Sequence, residues 1–193
     1  MISFQTVNLA YGDKQVLNQF CLDIPTDQIT CLHGPSGSGK TTLLRILAGL
    51  TNPDSGIITG LPKKPAILFQ EDRLLPHLTA AGNIAAVLPQ MQADEAHMWL
   101  ERVGLAQDAH LRPGELSGGM CHRVALARTL AYGGDFLLLD EPFTGLDMAL
   151  TEQMAALIHE TGRPALAVTH SRTEIDLLGG RLLAVNGPPL HVT

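Results

Sequence analysis

A run of small residues around a single lysine is the first stretch of the sequence whose residue types could do chemistry. Residues 34–42 read GPSGSGKTT, in which Gly34, Gly39, Lys40 and Thr41 match the spacing GxxxxGK(S/T). Small side chains let successive backbone N–H groups wrap around a phosphate, and the N-terminus of a following helix adds positive potential. The spacing therefore predicts a phosphate-binding loop between a strand and a helix.

Two polar side chains in this stretch are suited to a nucleotide and its metal ion. We expect Lys40 to reach the β- and γ-phosphates and the Thr41 hydroxyl to bind Mg²⁺. Thr42 alone is typical of any first helical turn, and a flexible Gly/Ser turn is the alternative structure for the whole stretch. The predicted phosphate-binding residues here are Gly34, Pro35, Ser36, Gly37, Ser38, Gly39, Lys40, Thr41 and Thr42.

A pair of carboxylates supplies the second element that a metal-dependent phosphate site needs. The segment FLLLDE places Asp140 and Glu141 directly after four apolar residues. Such a run is typical of a buried strand, and ligands of open α/β sheets bind at the carboxyl ends of the strands. We assign Asp140 to Mg²⁺ and Glu141 to activation of the attacking water. An exposed pair of loop charges is the alternative.

A second candidate anion site begins at LSGG, residues 116–119. Ser117 is suited to N-cap a helix, and Gly118 and Gly119 leave the first N–H groups of that helix uncovered. One chain is thus predicted to carry two phosphate-binding helix starts.

The elements that must position these residues follow from apolar periodicity and turn signals. Strands are predicted in ISFQTVNLAY, FCLDI, QITCLHG, AILF, FLLLD, ALAVTH and RLLAV. Helices are predicted from Lys40 to about Leu50, over ELSGGMCHRVALARTLAYGG and near Ala149–Glu160, with helical patches between Pro76 and Gly114. Strands that alternate with helices indicate an α/β fold with a mostly parallel sheet covered on both faces.

The composition narrows the class of protein. The 193 residues carry 13 Lys and Arg against 19 Asp and Glu, a net charge of −6, which argues against broad adhesion to nucleic acid. Apolar runs stay well short of the roughly 20 residues of a membrane-spanning helix, and the first residues lack a signal-peptide pattern. Cys21, Cys31 and Cys121 are far apart, so we expect reduced thiols rather than disulfides or a zinc site. A cytoplasmic protein is the expectation.

Taken together and in order, the phosphate loop, LSGG at Leu116–Gly119 and LLLDEPFTGLD resemble the ATP-binding subunit of ABC transporters over essentially the whole chain. The resemblance implies a P-loop NTPase fold with a mostly parallel central sheet, a small antiparallel β subdomain and a helical lobe. It also implies one ABC-type ATPase domain over residues 1–193. The α/β core is expected at about 1–75 and 116–193, and the helical lobe at about 76–115.

The same resemblance implies ATP and Mg²⁺ as cofactors and a second copy of the chain as a partner. Two subunits are expected to pack head to tail, with each ATP between the phosphate loop of one and the LSGG helix of the other. Tyr11 resembles the aromatic residue that stacks on adenine, and Gln70 resembles the glutamine that contacts Mg²⁺ and the attacking water. Asp147 resembles a residue of the interface loop, and His170 resembles the contact to the γ-phosphate.

The complete set of expected site residues combines both sources. The catalytic residues are Lys40, Gln70, Glu141 and His170; the metal ligands are Thr41, Gln70 and Asp140; and Tyr11, Ser117, Gly118, Gly119 and Asp147 join the ATP-binding loop. A lone Tyr, Gln or His is by itself more typical of surface packing or a structural position.

The segment FQEDRLLPHLTAAGNI, Phe69 to Ile84, resembles the permease-contacting region of importers for nitrate, sulfonate, taurine and related solutes. An ordinary amphipathic surface is the alternative for this segment. The leading hypothesis is an ATP-hydrolysing subunit on the cytoplasmic face of a membrane, partnered by permease subunits and an extracytoplasmic solute-binding protein. The alternatives are an exporter or lipid-extracting complex, a non-transport ATPase clamp, and a nucleotide-binding protein without turnover.

The sequence departs from the family pattern after LSGG. Met120 stands where glutamine is usual, and Cys121 and His122 replace residues that are usually basic or amide. Loss of polar side chains there is expected to weaken contact with the partner's nucleotide. The sequence also ends with RLLAVNGPPLHVT, so regulation by a C-terminal domain is not expected.

Overall fold

In the computed structural model, which describes residues 1–89 and 92–193, the chain divides into two units. The first comprises Met1–Ile67, Asp135–Glu141 and Arg163–Thr193, and the second comprises Leu68–Gly134 and Pro142–Gly162. The strands are β1 (Ile2–Tyr11), β2 (Lys14–Ile24), β3 (Ile29–His33), β4 (Ser55–Thr59), β5 (Pro65–Leu68), β6 (Phe136–Asp140), β7 (Ala165–Val168), β8 (Arg181–Asn186) and β9 (His191–Val192). The helices are α1 (Lys40–Leu47), α2 (Ala80–Ala85), α3 (Ala93–Arg102), α4 (Gly118–Ala131), α5 (Met148–Glu160) and α6 (Arg172–Leu178), and short 3-10 helices cover Ala106–Asp108 and Pro113–Glu115.

An antiparallel sheet in the first unit has the strand order β2-β1-β4. Ile2 and Phe4 of β1 are buried, and the pattern shifts at Thr6, where φ is +48° and the pairing with β2 changes register. Val7 and Leu9 are buried beyond this irregularity, so the apolar face is kept. The small antiparallel subdomain is therefore confirmed.

The central sheet has the strand order β5-β6-β7-β3-β8-β9. Strand β3 is parallel to β7 and β8, β6 is parallel to β7, and β9 is antiparallel to β8. Every residue of β6 and β7 is buried, which explains why both read as unbroken apolar runs. Leu32 and Asp140 both pair with Val168, so the carboxyl ends of β3, β6 and β7 meet at one edge. The predicted mostly parallel sheet is confirmed.

Helix α1 packs against β6 and β7 through buried leucines that include Leu43 and Leu47. The sequence predicts this helix to about Leu50, but it ends at Leu47, with Ala48 as the C-cap. Gly49 has φ +70°, a left-handed conformation that terminates helices. Leu50 lies beyond the helix and is 52% exposed.

Helices α2, α3 and α4 pack on one another in the second unit. Arg102 at the end of α3 lies over the Trp99 ring at 4.6 Å and forms an ion pair with Glu160 of α5. Helix α5 begins one residue before the predicted Ala149 because Asp147 caps it. The predicted single ATPase domain with a lobe at about 76–115 stays a prediction. No helix in the described ranges is both long and apolar enough to cross a bilayer.

The buried side-chain amide of Asn83 in α2 forms hydrogen bonds with the backbone of the segment that precedes this helix. Its Oδ1 accepts a hydrogen bond from the Leu75 N–H at 2.7 Å. Its Nδ2 is within hydrogen-bond distance of the carbonyl oxygens of Leu75 at 3.2 Å and Thr79 at 3.0 Å. Because Leu75 lies in an irregular segment, the side chain of Asn83 supplies its N–H with the acceptor that a strand or helix would supply elsewhere.

We expect Asn83→Ala to lower the free energy of unfolding by about 2–3 kcal/mol, because the Leu75 N–H loses its acceptor and the carbonyl oxygens of Leu75 and Thr79 each lose a second donor. Urea denaturation of the purified protein measures this change. Asn52→Ala, at an exposed position, is the control and should stay within about 0.5 kcal/mol of the unsubstituted protein. Equal effects of the two substitutions would show that the Asn83 bonds contribute little.

Candidate functional site

The loop between β3 and α1 has a backbone that tolerates few side chains. A Cβ atom on Gly34 would lie 2.2 Å from the carbonyl oxygen of Val185 in β8. Gly37 and Gly39 have φ of +76° and +113°, in the region that glycine reaches without steric cost. Gly39 N-caps α1 without a capping side chain, so the first N–H groups of α1 remain suited to an anion. Of the other loop residues, Pro35, Ser36 and Gly37 are exposed and Thr42 is half-buried.

Lys40 lies beneath this loop and is only 5% exposed. Its Nζ donates hydrogen bonds to the carbonyl oxygens of Gly34 at 2.9 Å and Pro35 at 2.8 Å. Burial lowers the pKa of Lys40, and the nearby carboxylates of Asp140 and Glu141 oppose that shift. The loop therefore encloses a cation held by neutral oxygens, an arrangement that an added phosphate would stabilise.

The two residues predicted to bind Mg²⁺ within the first unit are adjacent in space although 99 positions apart in the chain. The Thr41 hydroxyl donates to Asp140 Oδ2 at 2.8 Å. Burial raises the pKa of Asp140, and the hydrogen bond from Thr41 opposes the shift. Hydroxyl and carboxylate oxygens are the ligands that Mg²⁺ prefers, so this pair fits the ion.

Glu141 and His170 face one another beside Asp140. His170 Nε2 is 3.2 Å from Glu141 Oε1. The Glu141 N–H donates to the Val168 carbonyl at 2.9 Å, and its φ of +53° is uncommon for a residue with a side chain. Such a conformation persists only where neighbouring contacts stabilise it, and it is frequent at functional sites.

Ser38 tests whether a phosphate suits the loop. Its Oγ atom is buried and, within the part of the chain that the structure describes, has no hydrogen-bond partner. A buried hydroxyl without a partner is costly and calls for an explanation. A phosphate oxygen in the loop would accept its proton, so Ser38, Lys40 and the N-terminus of α1 together fit a phosphate group.

The LSGG residues lie in the second unit and form the predicted helix start. Ser117 is the N-cap of α4, and its hydroxyl accepts a hydrogen bond from the Met120 N–H at 3.3 Å. A Cβ atom on Gly118 would meet no described atom within 4 Å, whereas one on Gly119 would lie 3.1 Å from the Gly145 carbonyl oxygen. Gly118 therefore leaves open space beside the helix start, and Gly119 allows close approach to the TGLD segment.

The remaining predicted residues are divided between the chain's two units. Asp147, in the second unit, is exposed and caps α5 by accepting from the Leu150 N–H at 2.9 Å. Gln70, also in the second unit, is exposed in a bend after β5. Tyr11 ends β1 in the first unit and is 50% exposed.

Thr169 supports the site and was missed by the sequence analysis. It is buried directly before His170, its hydroxyl donates to the Glu174 carboxylate, and it accepts from the Ser171 N–H at 3.1 Å. His33 Nδ1 lies 3.2 Å from its carbonyl oxygen. A polar residue at the end of the apolar run ALAV is the same signal that identified Asp140, so the residue could have been found.

The sequence also did not indicate that His122 is buried and bonded on both ring nitrogens. It is 4% exposed in the second unit, with Nδ1 2.8 Å from Asp72 Oδ1 and Nε2 2.9 Å from the Pro142 carbonyl oxygen. A lone histidine in a helix gives no signal for partners 50 and 20 positions away. Its polar atoms therefore serve an internal network.

The described geometry can perform phosphoryl chemistry on a nucleoside triphosphate. The loop offers backbone and side-chain donors for phosphates, Thr41 and Asp140 offer oxygens for Mg²⁺, and Glu141 offers a base beside them.

Comparison with known proteins agrees with this chemistry. Residues 17–144 match the ABC transporter family. The aliphatic sulfonates import ATP-binding protein SsuB 3 of Rhodococcus jostii (strain RHA1) is 40% identical over 191 residues, which cover 96% of this chain and 71% of that protein. SsuB 1 of Paracoccus denitrificans (strain Pd 1222) is 41% identical over 191 residues, which cover 95% of this chain and 78% of that protein.

Solved structures share the fold. The dimeric structure of MJ0796, described as a bacterial ABC transporter cassette, superposes with a TM-score of 0.87 at 28% identity, covering 96% of this chain and 94% of that one. A post-hydrolysis dimer of the same cassette with ADP and Pi gives a TM-score of 0.85 at 27% identity, with coverage of 100% and 98%. On the family match and on relatives that align over nearly the whole chain, the chain belongs to the ABC transporter family.

Proposed function

We propose that the chain powers import of an aliphatic sulfonate or a related anionic solute through a membrane permease, using ATP bound between two copies of itself. Membership in the family makes the chain an ATP-hydrolysing subunit of an ABC importer that works with Mg²⁺. The observation that carries the proposal is the meeting of Lys40, Thr41, Asp140, Glu141 and His170 in one unit.

Lys40 is assigned to the β- and γ-phosphates of ATP. Its ammonium is already desolvated and bonded to two loop carbonyls, so it needs little reorganisation when phosphates arrive. Hydrogen bonds from an ammonium to phosphate oxygens are stronger than those to neutral carbonyls. Lys40 therefore binds ATP and stabilises the charge that develops on the leaving group.

Thr41 and Asp140, with Gln70, are assigned to Mg²⁺. The ion, when bound, neutralises charge on the phosphates and polarises the transferred group. Asp140 is 3% exposed and its pKa is raised by burial, so its carboxylate gains more from a nearby cation than a hydrated carboxylate would.

Glu141 is assigned to accept the proton of the attacking water, with Gln70 orienting the water and His170 contacting the γ-phosphate. Glu141 Oε1 and His170 Nε2 contact each other in the structure, so these atoms must separate before they engage water and phosphate. Catalysis then rests on positioning and on electrostatic stabilisation.

Ser117, Gly118, Gly119 and Asp147 are assigned to ATP held by a second copy of the chain, and Tyr11 to adenine. The open space beside Gly118 and the capped start of α4 suit a phosphate brought by another subunit. Nucleotide then stabilises a head-to-tail pair, and hydrolysis releases it.

Lys40→Ala should weaken ATP binding by about 10- to 100-fold, because the substitution removes a charge-assisted hydrogen bond to phosphate. Calorimetric titration with ATP measures the affinity. Arg45→Ala, an exposed position on the same helix, is the matched control and should bind ATP normally. Unchanged affinity in Lys40→Ala would contradict the assignment of the loop.

Glu141→Gln should slow ATP hydrolysis by at least about 100-fold while ATP still binds, because the amide cannot accept the proton of water. The variant should also accumulate as an ATP-bound dimer, seen by size-exclusion chromatography with and without ATP. Glu152→Gln, an exposed change on α5, is the control. If Glu141→Gln hydrolysed ATP as fast as the control, the role of Glu141 would be wrong.

The proposed solute is supported by the names of the relatives, and the proposed location is supported by one segment of this chain. The relatives' names describe import of aliphatic sulfonates. Phe69–Ile84, which includes Leu75 at 40% exposure, is assigned to the permease contact, so the chain would sit on the cytoplasmic face of the membrane. Solute selection would belong to the permease and its extracytoplasmic binding protein.

ATPase activity of the chain reconstituted with its permease and binding protein tests the import proposal. An aliphatic sulfonate should stimulate hydrolysis several-fold, because the loaded binding protein favours the closed ATPase dimer. Reconstitution with Glu141→Gln supplies the background rate. Stimulation by another solute class and none by sulfonates would overturn the substrate assignment while leaving the ATPase assignment intact.

A further inference from the structure

The loop that follows Gln70 is tied to α4 by two side chains of that helix. His122 Nδ1 lies 2.8 Å from Asp72 Oδ1. Arg128 Nη2 donates to the Asp72 carbonyl at 2.8 Å, and its Nη1 donates to the Arg73 carbonyl at 3.0 Å. Both the side chain and the backbone of this loop are therefore held by the helix that begins at LSGG.

The loop has a conformation that needs such support. Arg73 has φ +45°, a strained value for a residue with a side chain. Its guanidinium lies 3.9 Å over the Phe69 ring and pairs with Glu71 at 3.3 Å, on either side of Gln70 in the sequence. Since Gln70 lies between these fastened residues, the contacts from α4 restrict where its side chain can be presented.

The opposite edge of the His122 ring contacts a second segment. Nε2 lies 2.9 Å from the carbonyl oxygen of Pro142, the residue that follows Glu141 in the chain. The buried ring of His122 thus contacts two segments. One follows Gln70, which is assigned to orient the attacking water, and the other follows Glu141, which is assigned to activate that water.

The chemistry of these two contacts specifies the hydrogens on the ring. A carbonyl oxygen only accepts, so Nε2 must carry a hydrogen to bond Pro142, and an ionised Asp72 likewise requires a hydrogen on Nδ1. The ring thus bonds Pro142 through Nε2 and Asp72 through Nδ1 at the same time. Asp72 is flanked in the loop by the ion pair Glu71–Arg73, and its carbonyl oxygen accepts a hydrogen bond from Arg128 of α4. Burial raises the pKa of the neighbouring Cys121, which stays a neutral thiol.

We propose that His122 is a positioning residue for ATP hydrolysis. It connects α4, the helix that begins at LSGG, to the segments that directly follow Gln70 and Glu141. The proposal rests on the ATPase function assigned above. When a partner's phosphate meets Ser117 at the start of α4, this ring links the helix to Asp72 of the loop and to Pro142, all within the second unit. His122 touches neither substrate nor metal in this scheme.

Two substitutions separate this role from simple core packing. Leucine fills a similar volume but makes no hydrogen bond, so His122→Leu removes both contacts. Glutamine has one amide nitrogen with two hydrogens, which can be donated to Asp72 and to Pro142. His97 on α3 is exposed in the same unit, and His97→Leu and His97→Gln are the matched controls.

His122→Leu should lower kcat by about 10- to 100-fold with unchanged affinity for ATP, because the reacting groups are misplaced while the phosphate loop is intact. His122→Gln should restore kcat. Steady-state ATPase rates and calorimetric ATP binding give these quantities.

Hydrogen exchange in the nucleotide-free protein provides a readout independent of turnover. Amides of residues 71–75 should exchange faster in His122→Leu than in His122→Gln or in the His97 variants. The proposal fails if His122→Leu retains normal kcat and normal exchange, or if both His122 variants lose stability and ATP affinity together. If the unsubstituted protein did not hydrolyse ATP, the ATPase assignment would fail, and the exchange result would still decide whether His122 fastens the loop.

Discussion

The buried ammonium of Lys40 is the interaction on which the site depends. A charge taken out of water is costly, and this one is stabilised by two loop carbonyls and by the carboxylates of Asp140 and Glu141. Those carbonyls can turn inward only because Gly34 has no Cβ against β8 and Gly39 adopts a left-handed backbone. The buried position of Lys40 therefore depends on Gly34 and Gly39, as does the predicted binding of phosphate by the loop.

The rest of the first unit brings acidic groups to that cation. Strands β3, β6 and β7 are parallel neighbours, so the phosphate loop, Asp140 and the Thr169–His170 segment emerge at one edge. Burial of β6 and β7 on both faces requires continuous apolar sequence up to the point where polar residues begin. The abrupt change from FLLL to Asp140 and from ALAV to Thr169 marks that edge in the sequence.

Much of the first unit's site could be predicted from local sequence patterns. Features that depend on contacts between residues distant in the chain could not be predicted. The loop spacing, the strand before Asp140 and the capping serine at 117 are readable because the information lies within a few residues. Strand β4 lacked a signal because four of its five residues are exposed and it is held by backbone pairing with β1. The inward place of His122 depends on Asp72 and Pro142, which adjacent sequence does not reveal. The roles of individual site residues remain proposals that the experiments above address.

The proposed sharing of ATP between two copies of the chain, each with both predicted phosphate-binding helix starts, has a consequence for evolution. In a pair of identical subunits every substitution appears twice, once in each composite site. A change near Gly118 that improves one site improves the other, and a defect at Lys40 disables both. Two sites with different tasks, one that turns over and one that only holds nucleotide, would require two diverged genes. In the proposed pair of identical subunits, the two sites are therefore equivalent.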